Sequence, residues 1–430
     1  LKAILLKRLD AAVGPTLIRL LPKSSLKNSG GTRLCSPAKV CCACLPLPFG
    51  RGAGVRAVPQ PKSCLRGVSL TLSLPQRGRG PEVPRNFTNN PPKRGLPDSS
   101  ISPRSFLVIR PGGIGDAVLL IPALTALQKA FPGCRIDVLA ESRNAAAFLM
   151  CPGLNRVYRY DSLSDLAALL RTSFDVVVDT EQWYRLSAVI ARLVGALRSI
   201  GFSTNDRGRL FTDPVPYPLQ DYELISFFKL LAPLEVQPPK ESAAPFLQLP
   251  AGAKEGARRL LAPLAGKEFV AIFPGASVPE KQWGRENFRQ VAESLTAAGI
   301  AVVVVGADDA RASGDFIARG GLALNLAGKG GLMESAAVLA EARVLLSGDS
   351  GLLHIAAGLG TATVSLFGPS DTAKWAPKGE RHTAFSSSLS CAPCSRYGTV
   401  RCGTGARCLD AAPSEVTEAL LKLWEDQVSP

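Results

Sequence analysis

From Phe106 to Gly368 short apolar runs alternate with helix-length stretches, and this alternation limits the possible folds more than any bulk property does. The runs FLVI at 106–109, RIDVLA at 135–140 and FDVVVD at 174–179 suit parallel strands covered on both faces. Helices are predicted near 163–171, through Leu197 and from Tyr222 to Leu231, before a Pro-rich linker from Gln237 to Pro250. A second series follows: EFVAIF at 268–273, a helix over 286–298, AVVVVG at 301–306, a helix over 332–340, ARVLLSG at 342–348, a helix from Leu352, and TATVSLFG at 361–368. Right-handed crossovers of this kind build open parallel sheets that bind ligands outside the carboxyl ends of their strands. Two such units in tandem predict an α/β molecule with a cleft between its halves.

The loops leaving the predicted strands carry the candidate chemistry. After the first comes PGGIGD, in which Gly112, Gly113 and Gly115 permit a tight turn and bring backbone amides close to a ligand. Asp116 opens the following helix, either as a reactive carboxylate favoured by the helix dipole or as an ordinary cap. The spacing GGIGD is not the GxGxxG of a dinucleotide fold, which argues against NAD. After EFVAIF comes FPGASVPEKQW, where Ser277 offers a hydroxyl and Lys281 a cation for a diphosphate; Lys281 reads equally as a solvated surface lysine. After ARVLLSG comes GDSGLLHIAAGLG, where Asp349, Ser350 and Gly351 precede a helix with Leu352 and His354 in its first turn. Exposed amides there would seat a phosphate, although Asp349 alone also reads as an N-cap and His354 as a structural histidine.

Charge and cysteine are unevenly spread. Residues 1–100 carry 17 Lys and Arg against 3 Asp and Glu, whereas residues 101–430 carry 33 against 32. Of the net +15, +14 therefore belongs to the leader, and nucleic-acid binding by the folded part loses its support. Five cysteines also lie in the leader (Cys35, Cys41, Cys42, Cys44, Cys64), so no secreted disulfide framework is implied, and the CCAC cluster lacks partner histidines for a metal. Near the end, Cys391, Cys394, Cys402 and Cys408 give C-x2-C-x7-C-x5-C, compatible with zinc, structural thiols or a labile disulfide but not with paired CxxC knuckles. His354 and His382 are the only histidines, which excludes a His-rich metal site, and no GxSxG elbow supports a hydrolase. No apolar run reaches the ~18 residues of a spanning helix. Residues 1–22 read as an amphipathic helix, with Leu5, Leu6, Leu9 and Val13 apolar and Lys2, Lys7 and Arg8 polar, lying on a membrane or on the protein itself; Asp10 and the Gly14-Pro15 break argue against a signal peptide. Residues 23–103, rich in Pro, Gly and Arg, are expected to be a disordered insertion, and Pro413 to Trp424 a closing helix.

In their order and spacing, RPGGIGDAVLLIPAL, FPGAS followed by KQW, ARVLLSGDSGLLHIAAGLG, SLFGPSD and the CxxC-containing tail resemble glycosyltransferase family 9, the ADP-heptose:lipopolysaccharide heptosyltransferases, over residues 104–426. The resemblance implies a GT-B fold, with a Rossmann-like acceptor domain at 104–250 and a Rossmann-like nucleotide-sugar domain at 251–430. It carries the base to Asp116, the phosphate-binding lysine to Lys281 with Ser277 at a hydroxyl position, and the donor loop to Asp349, Ser350, Gly351, Leu352 and His354. Two places depart from the family pattern. The acid expected on the donor ribose has no clean match at Asp308, Asp309 or Ala310, and DTEQWYRLSA differs from the shorter glutamine-containing loop of heptosyltransferase I.

The expectation is thus inverting transfer of a heptose from ADP-heptose to a lipid-linked core oligosaccharide, without metal or other cofactor. It would take place in the cytoplasm at the inner face of the bacterial inner membrane, with peripheral membrane contact and no nucleic acid. A GT-B nucleotide-sugar epimerase and a non-catalytic nucleotide- or membrane-binding module are the alternatives; the epimerase would alter ADP-heptose without an acceptor.

Overall fold

The computed structural model of the chain describes residues 2–21, 102–239, 244–395, 402 and 407–426. The leader cysteines and nearly all of the 23–103 segment lie outside the described residues, as do the side chains of Lys2, Leu5, Leu6, Lys7, Arg8 and Leu9.

Helix α1 (Lys2–Leu20) runs unbroken through Pro15, so the Gly14-Pro15 pair does not end it. Tertiary packing offsets what proline costs a helix, because Ile18 is buried among residues of the first sheet's outer face and Gly14 sits against Arg185. The first half then alternates β1 (Ser105–Arg110), α2 (Ile114–Ala130), β2 (Arg135–Ala140), β3 (Arg156–Arg159), α3 (Leu163–Leu169), β4 (Val176–Asp179), α4 (Arg185–Val194), β5 (Arg198–Phe202), β6 (Asp213–Val215) and α5 (Glu223–Leu231). Its six strands are all parallel, in the order β3-β2-β1-β4-β5-β6. Strand periodicity divides β1 between two cores: Phe106 and Val108 face one apolar cluster, Leu107 and Ile109 the other.

The second half begins with α6 (Ala251–Leu261) and continues through β7 (Phe269–Phe273), α7 (Arg285–Ala297), β8 (Ala301–Val304), α8 (Arg311–Ile317), β9 (Leu324–Asn325), α9 (Leu332–Glu341), β10 (Val344–Gly348), α10 (Gly351–Leu359), β11 (Ala362–Phe367), α11 (Thr372–Trp375), β12 (His382–Ser386) and α12 (Pro413–Glu425). Its parallel sheet, β12-β11-β10-β7-β8-β9, repeats the topology of the first. This is the pair of Rossmann-like halves that the GT-B expectation describes. Helix α10 is apolar almost all round and accordingly buried, with Gly360 at φ +90° closing it in the left-handed conformation that glycine tolerates. The Pro-rich stretch after Gln237 is partly docked: Leu247 is buried, and the Phe246 and Leu247 amides donate to the Gly358 carbonyl. Among the described residues no helix is long and apolar enough to cross a membrane.

Candidate functional site

Each sheet reverses its strand order between its first and fourth strands, β1 and β4 in one half, β7 and β10 in the other. A crevice forms at such a switch point, outside the carboxyl ends of the strands. The loops singled out from sequence leave β1, β7 and β10, all at this edge.

Asp116 lies in the first turn of α2, but the helix starts at Ile114 and its N-cap is Gly113. The carboxylate is therefore free of capping and turns to other partners. Arg110, at the end of β1 and 2% exposed, lies 3.9 Å from Asp116 Oδ1. Its Nη1 donates to the Thr180 carbonyl at 2.9 Å and its Nη2 to Glu181 Oε2 and Gln182 Oε1, each at 3.2 Å. Burial alone would lower the Arg110 pKa, yet the carboxylates of Asp116, Glu181 and Glu223 outweigh it and keep the guanidinium charged. Gln182 Nε2 spans two acids, donating to Asp116 Oδ1 at 3.2 Å and to Glu223 Oε1 at 2.6 Å.

Across the crevice, Lys281 Nζ meets Asp349 Oδ2 at 2.5 Å, and Ser370 Oγ donates to the same oxygen at 2.6 Å. Burial would raise the Asp349 pKa, but Lys281 and then His354 hold it below the usual carboxylate range. Ser350, not Asp349, caps α10, its hydroxyl accepting from the Leu353 amide at 3.2 Å and lying 2.8 Å from Ser347 Oγ. His354 is 3% exposed, with Nε2 4.0 Å from Asp349 Oδ1 and Nδ1 unpartnered among the described residues. Burial lowers its pKa against the pull of Asp349 and Asp116, with Lys281 adding to the fall.

The two halves meet here. A Cβ on Gly115 would stand 2.7 Å from His354 Cδ2, and one on Gly351 would stand 2.8 Å from Ile114 Cβ. Those glycines admit the opposite half's side chains at close range. Gly112, at φ +119°, turns the chain beside Arg110. The crevice edge thus assembles Gly113, Gly115, Asp116, Lys281, Asp349, Ser350, Gly351 and His354, with Leu352 buried behind; Ser277 is exposed on its loop and joins none of these contacts. Asp308 and Asp309 follow β8, and Asp308 is 83% exposed and pairs with Arg311 at 2.6 Å.

Sequence reading did not find Arg110, Glu181, Gln182, Glu223, Ser370 or Lys374. The position of TEQ directly after the switch-point strand β4 was the available signal for two of them. In the tail, Cys391 is exposed, Cys394 and Cys402 are half-buried, and Cys408 is buried. Burial and then the neighbouring thiols of Cys394, Cys402 and Cys391 push the Cys408 thiol up. Among the described residues no three metal-binding side chains form a group that would hold an ion.

The family model described as glycosyltransferase family 9 (heptosyltransferase) matches residues 164–402. Lipopolysaccharide heptosyltransferase 3 of Escherichia coli is 30% identical over 288 residues, 61% of this chain and 83% of the relative. The structure of E. coli ADP-heptose LPS heptosyltransferase II aligns with a TM-score of 0.63 at 21% identity, covering 76% of this chain and all of the other. That of E. coli heptosyltransferase WaaC with ADP-2-deoxy-2-fluoro heptose aligns with a TM-score of 0.59 at 20% identity, covering 74% and 99%.

Proposed function

The chain belongs to glycosyltransferase family 9, and on that premise we propose that it moves a heptose from ADP-heptose to a hydroxyl of the lipopolysaccharide inner core, with inversion and without a metal ion. The observation carrying this reading is that the turn bearing Asp116 abuts the Lys281–Asp349–His354 cluster, Gly115 lying against the His354 ring, at the switch points of both sheets. The first half, 104–250, takes the acceptor, and the second, 251–430, takes the donor.

Asp116 is 23% exposed and uncommitted to capping, so its carboxylate can accept the proton of an incoming hydroxyl. The acceptor oxygen bonds to the anomeric carbon as the bond from that carbon to the diphosphate oxygen breaks. A single displacement inverts the carbon, and ADP departs with the bonding pair. Lys281, kept in place by Asp349, together with the Ser277 hydroxyl and the amides of Ser350 and Gly351, stabilises the charge gathering on the diphosphate. These fixed positive groups supply what a divalent ion would otherwise provide. The lipid-linked acceptor places the enzyme at the cytoplasmic face of the inner membrane, in peripheral contact with it.

The test pairs ADP-heptose with a truncated core lipid and reads the product by mass spectrometry. Asp116→Asn is expected to lower kcat by about 10²–10⁴-fold while ADP still binds. Lys281→Ala is expected to weaken ADP binding at least tenfold. Near-normal turnover in the first variant, or unchanged ADP affinity in the second, removes that residue from its role. An altered sugar formed from ADP-heptose with no acceptor present would instead identify an epimerase.

A further inference from the structure

Lys374 is a lysine of α11 in the second half, yet its ammonium is spent on the first. It is 7% exposed, lies 2.7 Å from Glu223 Oε2 and donates to the carbonyls of Pro218 and Asp221 at 3.2 Å each. Three acceptors satisfy its three N–H groups, and the ammonium stands 4.5 Å from the Tyr217 ring centre. Glu223 is fully buried at the start of α5, and its other oxygen, Oε1, accepts from Gln182, which also donates to Asp116. A continuous polar chain, Lys374–Glu223–Gln182–Asp116, therefore runs from one half of the molecule to the candidate base in the other.

The geometry points to Gln182 and Glu223 as positioning residues for Asp116, held in that role by Lys374 from the opposite half. The inference rests on Asp116 being the base. Gln182 donates one amide N–H to Asp116 and one to Glu223, so where Glu223 sits fixes where the amide can hold Asp116. Glu223 is buried deeply enough that, without a counter-charge, it would take up a proton or swing away. Tyr217 donates to Glu223 Oε2 at 2.8 Å but brings no charge, so among the described residues Lys374 is the cation in direct contact. When the halves part, Lys374 leaves with its own half and the support of Asp116 loosens. The base is in position only when donor and acceptor sides are together.

Lys374→Met and Lys374→Arg separate this role from simple stability. Methionine keeps most of the volume and removes the charge, whereas arginine restores the charge. Lys374→Met is expected to lower kcat about 10–100-fold, the scale of a misplaced catalytic group, with the ADP dissociation constant within twofold of the parent and Lys374→Arg recovering at least half of the loss. Gln182→Met, which buries no charge, should reproduce the fall in kcat and serves if Lys374→Met does not fold. The proposal is overturned if kcat stays within twofold, if ADP affinity falls in parallel with kcat, or if methionine and arginine behave alike. If Asp116→Asn retains activity, the reading of Asp116 as base has failed instead; if Asp116→Asn is inactive while the Lys374 and Gln182 variants turn over normally, only the positioning role has failed.

Discussion

A Cβ on Gly115 would stand 2.7 Å from His354 Cδ2, so this glycine makes room for a ring of the opposite half in addition to allowing the tight backbone turn that its place in PGGIGD suggests. Gly115→Ala should therefore destabilise the protein by about 1–3 kcal/mol through overpacking, and His354→Ala in the same chain should recover part of that loss. Fully additive losses in thermal denaturation would show that the two positions do not collide. Asp116, Lys281, Asp349 and His354 stood out because each lies in a loop that follows a strand or in the first turn of the helix after it. Gln182, Glu223 and Lys374 were not, because an acid, an amide and a lysine gain meaning only when folding buries them against partners 41 or more residues away. His382 illustrates the same dependence on context. Burial, aided by Arg381, pushes it down to about 4, with Nδ1 3.0 Å from Thr363 Oγ1. Its contribution is complete above the unfolded value near 6.5; as pH falls from there to 4 the unfolded chain binds a proton that the folded chain resists, so stability is lost. His382→Gln should remove about 1–2 kcal/mol of that acid sensitivity, allowing for the partly exposed ring, seen as a smaller shift in urea midpoint between pH 7 and 4.5.

Among the elements, α1 is the one whose role the sequence left open between membrane and protein. Its later turns are committed to the protein: Asp10 is 3% exposed and its Oδ1 accepts from the amides of Arg185 at 2.5 Å and Leu186 at 2.6 Å. These are first-turn amides of α4, whose own N-cap, Tyr184, supplies no side-chain bond. A residue 175 positions away thus does the work of a local cap, directly beside the loop that carries Gln182. Asp10→Ala should cost about 1–2 kcal/mol, and Asp10→Asn, which keeps a carbonyl acceptor, clearly less; equal losses in thermal melts would show that capping is not the contribution. Mainly apolar strands such as β2, β4, β7 and β11 were readable from their sequences, as were α7, α9 and α12. The edge strands β3, β6, β9 and β12 were not, since RVYR, DPV, LN and HTAFS are too short or too polar to show periodicity and become strands only by pairing with a formed neighbour.

For the whole molecule, the decisive relation is between an apolar seam and a polar rim. One continuous apolar cluster runs from β1 and α2 of the first half to α9, α10 and β10 of the second, and Leu247 in the connecting segment joins it. At the rim, contact between the halves is instead made by small or polar groups: Gly115 on His354, Gly351 on Ile114, Glu223 on Lys374. The halves are expected to part at this rim, with the seam as hinge. Turnover is expected to require that parting, because His354 is buried and Ile114 of the glycine loop packs on Gly351 at the start of α10. The pair Ile114→Cys and Gly351→Cys tests this directly. A Cβ on residue 351 lies 2.8 Å from that of residue 114, within about 1 Å of disulfide geometry. Oxidation of the double variant is expected to reduce turnover at least tenfold, with reductant restoring it and the parent protein unaffected by the same treatment. Full activity in the cross-linked form, with the bond verified by mass spectrometry, would mean that the donor enters and ADP leaves without parting the rim.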